Sequence, residues 1–282
     1  MPSDYTLERT HGQESVLIHA ADLYLLEEWQ NDFTISDDAQ RSAIFSKWLD
    51  IGSHGRMDWK PYVERLEDMS SNDDDITDDE KYLIARVRHP SDRQDISYSR
   101  VVRTFYGEGS AEKLAELAEE AEFDQTTFDN AELYDAGSND GLQSLHDILT
   151  RIPQIIEEVP LVAIQRVENM QETRKEAIEH PEFGSEYHKE MFHKAAKWDH
   201  VLIYDKEAND EGDVLLVYFD DRGRVIRYGR VYGAEDWQAA DGMLWSGQDL
   251  MHRWWDTGDY GEDWKPDQFD KRWAEFENED WE

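Results

Sequence analysis

In the stretch "SDDAQRSAIFSKWLD" (36–50), Ile44, Phe45, Trp48 and Leu49 recur at the spacing of one buried helix face. Ser36 stands where an N-cap belongs, and Asp37 and Asp38 follow in the first turn, where the helix dipole favours acids. A helix over 36–50 is therefore predicted, broken by "GSHG" at 52–55. Upstream, "SVLIHAADLYLLEEW" (15–29) begins as a short apolar strand or helix start and continues with Leu23, Leu25, Leu26 and Trp29 at helical spacing. "DWKPYVERLEDM" (58–69) predicts another helix with Pro61 in its first turn.

A polar, acidic stretch at 70–80 is the nearest thing to a linker, and Thr77 with Glu80 forms a capping box ahead of "KYLIARVR". "ISYSRVVRTFYG" (96–107) is β-branched and aromatic, so it predicts an extended segment. From Ser110 the pattern turns helical. Leu114, Leu117 and Ala121 share a side, as do Leu142, Leu145, Ile148, Leu149 and Ile152 in 139–152. Helical patterns continue over 155–170, interrupted at Pro160, and over 185–198.

The period then changes. Residues 200–233 hold three runs rich in Val, Ile, Leu and Tyr, separated by turn clusters, of which "FDDRGRV" reads as a hairpin with Gly223 at positive φ. The expectation is a three-stranded antiparallel meander at roughly 200–206, 213–219 and 224–232, packing one face on helices. The remainder reads as helical around 235–255 and 266–278, and seven of the eleven tryptophans lie after residue 233. The predicted fold class is α+β: a mainly helical N-terminal body (1–198), then an antiparallel β-meander packed with Trp-rich helices (199–282), with no linker excluding one continuous domain.

Charge changes this picture more than any motif. The chain has 282 residues, with 66 acids against 29 bases and a formal charge of −37. Acids are spread along the whole length, unlike a single acidic tail. Like charge at this level strains a compact state in dilute buffer, and molar salt screens it to a Debye length of about 3 Å. The implied setting is a halophilic system, haloarchaeal or haloviral, rich in monovalent salt. With no cysteine, disulfides and thiolate chemistry are excluded. The first residues lack the pattern of a secretory signal, and no run is long and apolar enough for a membrane span, so the expected location is cytoplasmic or in a virus particle assembled there.

Against this background "RVRHPSDRQDISYSRVVR" (86–103) is a basic island with Arg86, Arg88, Arg93, Arg100 and Arg103. Guanidinium groups pair bidentately with oxyanions, so the island is a candidate for binding an anion or an acidic partner. The competing reading is that these arginines neutralise the protein's own acids. Arg100 and Arg103, inside the apolar "YSRVVRTF" run, are expected to be buried in the service of the fold. Arg222, Arg224, Arg227 and Arg230 do not share one strand face, which predicts scattered ion pairs. The metal candidate is "EYHKEMFH": Glu186, Glu190 and His193 lie at i, i+4 and i+7 on one helix face, although the only other E-x-x-H, Glu8 to His11, reads as loop, so the set that a di-iron bundle needs is incomplete. Trp255, Trp264 and Trp281, flanked by acids, are the candidates for exposed partner contacts.

No phosphate-binding loop, dinucleotide fingerprint, zinc-protease or nucleophile-elbow motif occurs. The expected function is therefore a non-enzymatic interaction or structural protein with an unidentified protein partner and no cofactor. The alternatives are a metal-assisted hydrolase or oxidase using the Glu/His site, and a nucleic-acid-associated protein or mimic. Nucleic acid is disfavoured, because binding through counterion release weakens in molar salt.

Overall fold

The run "VLLVYF" is buried at every position and forms the central strand of a five-stranded sheet. A strand with both faces apolar needs cover on both, and that requirement organises the molecule. The computed structural model describes residues 20–30, 34–56, 59, 79, 82–84, 101–120, 145–156, 160–180, 185–232 and 258–278. Its elements are α1 (Ala20–Glu28), α2 (Asp37–Asp50), α3 (Gly52–Arg56), β1 (Val101–Arg103), α4 (Ser110–Glu120), α5 (Leu145–Arg151), α6 (Pro160–Glu179), α7 (Ser185–Ala196), β2 (Asp199–Tyr204), α8 (Lys206–Glu211), β3 (Val214–Phe219), β4 (Val225–Val231), β5 (Asp259–Tyr260) and α9 (Phe269–Asn278). Short 3₁₀ turns lie at Pro153–Ile155, Glu262–Trp264 and Pro266–Gln268.

The sheet runs in the order β1-β2-β3-β4-β5, with β1 parallel to β2 and every other pair antiparallel. Mixed helix and sheet agrees with the predicted class. The meander is present as β2, β3 and β4, but it is the centre of a larger mixed sheet, which corrects the three-stranded expectation. Two short strands were not foreseen as sheet members. β1 joins by parallel pairing with a strand about a hundred residues away, and β5 has only two residues, too few to show a period.

The expectation that one sheet face packs on helices is also corrected, because both do. Val201, Ile203, Leu215, Val217 and Phe219 meet Tyr24, Leu25 of α1, the α2 stripe Ile44, Phe45, Trp48 and Leu49, and Ile148 and Leu149 of α5. On the opposite face Leu202, Tyr204, Leu216, Tyr218 and Ile226 meet Leu114 of α4, Phe192 and Ala196 of α7, Ala208 of α8 and Trp264. Both clusters contain residues from either side of position 198.

Local signals match their expected roles in several places. The Ser36 hydroxyl accepts from the Ala39 amide at 3.2 Å and caps α2. Pro160 is the first residue of α6, where its missing N–H leaves no hydrogen bond unmade. Gly223 sits at φ 74° in the β3–β4 turn. The predicted helices over 58–69 and 235–255 and the stretch 70–80 lie outside the described residues, apart from isolated positions. Among the described residues no helix is long and apolar enough to cross a membrane.

Candidate functional site

The β3–β4 turn places two adjacent carboxylates, and each organises a different neighbour. Asp220 is 1% exposed. It accepts from the backbone N–H groups of Arg222 and Arg224, both at 2.9 Å, from Arg224 Nε at 2.7 Å, and from Trp264 Nε1 at 3.0 Å. Burial lifts its carboxyl above the usual range and the neighbouring Asp221 adds to this, while Arg224 pulls the other way. Asp221 turns toward the helical layer, accepting from the Ser53 backbone N–H at 2.6 Å and the Ser53 hydroxyl at 2.8 Å. Burial acts to raise it too, but Arg56 and the Ser53 hydrogen bonds outweigh that and hold it below the ordinary value. The turn is thereby tied to α3 on one side and to the C-terminal segment on the other.

Each hairpin arginine meets its own partners. Arg224 bridges Asp220 and Glu275 of α9, the latter at 2.8 Å. Arg230 grips Asp205 through two parallel bonds of 2.8 and 2.7 Å and reaches Glu207 at 2.9 Å. Arg222 donates to the Asp50 carbonyl. Arg227 is buried, lies 4.0 Å over the Tyr260 ring and donates to its hydroxyl, and pairs with Glu190 of α7 at 3.0 Å. Scattered ion pairs, as expected from strand parity, bind this edge of the sheet to its flanking helices.

Arg227 brings together a cluster of charge and aromatic rings between α7, β4 and β5. Glu190, its acidic member, also has Lys194 at 3.6 Å. One helical turn along α7, His193 is 2% exposed, and both of its ring nitrogens lack a hydrogen-bond partner. Its ring lies edge-on to Tyr260 and Trp264, each at 5.4 Å between centroids, and to Phe269 at 6.0 Å. Burial drives its pKa down to about 4; Glu190 works against this, and Arg227 and Lys189 reinforce it.

For the predicted metal set, Glu190 and His193 do lie near one another on α7, while the Glu186 side chain lies outside the described set. The Glu190 carboxylate already faces two cations, which oppose a divalent ion electrostatically. Among the described residues no group of three His, Cys, Asp or Glu side chains is placed to hold a metal.

Arg86, Arg88, Arg93 and Arg100 of the basic island lie outside the described residues, as do Trp255 and Trp281. Arg103 is described and buried. It donates from Nε to the Phe105 carbonyl at 3.0 Å and from Nη2 to the Ser110 hydroxyl, and its guanidinium lies 4.4 Å over the Tyr106 ring. Burial was expected, but against carboxylates. Its partners among the described residues are instead a carbonyl, a hydroxyl and a ring, which tie the end of β1 to the start of α4. Ser110, read from sequence as a cap, is engaged by Arg103. Arg103→Gln is expected to lower the urea midpoint in molar KCl by the equivalent of about 1–3 kcal/mol, the cost of buried polar groups left unpaired. An unchanged midpoint would show that Arg103 does not serve the fold.

Trp264 corrects a second expectation. Its acidic neighbours pointed to exposure, yet the indole is 3% exposed. In the 3₁₀ turn Glu262 and Asp263 face solvent while the third residue turns inward between α7 and the sheet, with its N–H on Asp220. Sequence reasoning missed the Asp220–Trp264 and Arg227–Tyr260 links, since each joins residues more than thirty positions apart and neither has a local signature. In comparison with known proteins, the chain matches no family model, no curated protein and no solved structure.

Proposed function

We propose that this chain is a non-enzymatic interaction or structural protein of a halophilic system, haloarchaeal or haloviral, acting in the cytoplasm or in a virus particle assembled there. The observation that carries this reading is the formal charge of −37, spread along the chain. Surplus carboxylate of this kind keeps a protein soluble in molar salt and repels itself in dilute buffer. A second observation supports it. Arg103, Arg222, Arg224, Arg227 and Arg230 are all engaged within the chain, so these five arginines reinforce the fold of an otherwise acidic protein. For the interaction half of the reading, Ile178 is 70% and Tyr232 65% exposed, and Tyr187 is exposed on α7, which packs on α6 carrying Ile178. A contiguous exposed apolar patch is what a protein partner covers, and these side chains are candidates for belonging to one.

Dialysis from molar KCl into about 0.05 M salt tests the charge argument. The expected result is a lowered and broadened thermal transition, read together by circular dichroism and Trp fluorescence. A sharp, unchanged transition would remove the halophilic reading. Elemental analysis of protein purified in high salt addresses the enzyme alternative: a stoichiometric bound metal would replace this reading with the metal-assisted one.

A further inference from the structure

We propose that His193 is a proton-sensitive latch, which holds the C-terminal segment 258–278 on the sheet while neutral and releases it on protonation. The geometry supplies the parts. His193 reaches from α7 into a box made almost wholly by that segment, with Tyr260 of β5, Trp264 of the 3₁₀ turn and Phe269 of α9 around its ring. Both ring nitrogens are buried without a hydrogen-bond partner, so no contact is arranged to receive an imidazolium.

The charges acting on the ring are Glu190 and Lys189 of its own helix and Arg227 of β4. From β5 the facing titratable group is Tyr260, whose hydroxyl accepts from Arg227. The 3₁₀ turn and α9 present the rings of Trp264 and Phe269, and α6, though packed on α7, contributes none of these charges. Glu190, the one group that favours a proton on His193, is engaged by Arg227 at 3.0 Å and Lys194 at 3.6 Å. A charged His193 therefore shares its one carboxylate with two other cations, and burial outweighs the pull that Glu190 keeps on it. Moving 258–278 away gives the ring water, separates Arg227 from Tyr260 and uncovers Phe192, which packs on Trp264, Phe269 and Trp273.

The sign follows from linkage. The folded-state pKa lies below the ordinary value of 6.5, at about 4, so the closed state is favoured in full above pH 6.5. That preference is lost progressively as pH falls toward 4. Each pKa unit is tenfold in the closing equilibrium, so the change across this window is on the order of 100-fold.

Hydrogen exchange in molar KCl, corrected for the intrinsic pH dependence of amide exchange, reads this directly. Protection of amides in 258–278 is expected to fall on the order of 100-fold between pH 7 and 4, ahead of amides in β3. His193→Phe, which keeps the ring and removes the titration, is expected to abolish the fall. An equal fall in that variant would assign the effect to carboxylates and overturn the latch, as would flat protection in the parent. If His193→Phe does not fold, His193→Gln provides the same comparison. An NMR titration of the parent is decisive without any variant: a His193 ring that takes its proton at an ordinary pKa in the folded protein ends the proposal.

Discussion

Replacing Asp220 by alanine is expected to lower folding stability by about 3 kcal/mol or more, within the range for removing one member of a buried charge pair. The carboxylate receives four donors, and no other acceptor is supplied for the Trp264 indole N–H. Without it, the Trp264 N–H stays buried and unpaired. The two turn amides of Arg222 and Arg224 lose their acceptor as well. Arg224 keeps Glu275, which limits the loss at that one position. Asp220→Asn retains one acceptor oxygen and a side chain suited to turns, so its loss should be smaller, about 1–2 kcal/mol. Urea titrations in molar KCl provide the comparison, with Trp fluorescence reporting the released indole. Equal midpoints for the parent and the alanine variant would show that this carboxylate does not hold the C-terminal segment.

The second large effect is steric and is expected at Gly261. A Cβ built there lies 2.0 Å from the Val225 carbonyl oxygen and 2.6 Å from its carbon, and backbone cannot move aside as a side-chain tip can. The approach is close because the Gly261 amide donates to the Ile226 carbonyl at 3.0 Å, continuing the β4–β5 pairing. Gly261→Ala must therefore push the segment off the edge of the sheet. Both Trp264 on Asp220 and Tyr260 on Arg227 then lose their seats. The expected cost is about 3 kcal/mol, the upper end of the overpacking range. Gly229, on the same strand pair, is the control. Its added Cβ would meet Gly258 Cα at 3.6 Å, an ordinary contact, so Gly229→Ala should stay within about 0.5 kcal/mol of the parent. If the two alanine variants unfold at the same urea concentration, the close approach at Gly261 is not what sets this edge.

Both effects concern links between the hairpin and the C-terminal segment that no local signal in the sequence marked. The acidic residues around Trp264 are a sound local sign of solvent, and two of the three residues in that turn do face it. Burial of the third depends on an acceptor 44 positions earlier in the chain. The Glu190 and His193 spacing was likewise read from helix geometry, and both residues do sit on α7. What a helix face meets is a separate matter. Here Arg227 from β4 arrives at Glu190, and aromatic rings from the C-terminal segment close over His193.

What the sequence determined by itself lies within a few residues' reach. Ser36 caps α2 because its hydroxyl needs only the amide three residues on, and the stripe Ile44, Phe45, Trp48 and Leu49 is buried because a 3.6-residue period puts it on one side. The β3–β4 hairpin forms where Gly223 can take a positive φ between two β-branched runs. The net charge, a sum over residues, was equally open to view. Tertiary structure alone decided the parallel docking of β1, the addition of the two-residue β5, the cover on both faces of β3 and the partner of each arginine. These are choices among many distant partners with similar local chemistry. They are settled by which arrangement buries the apolar runs on both sheet faces while leaving each buried guanidinium an acceptor, a condition that no short window of sequence can express.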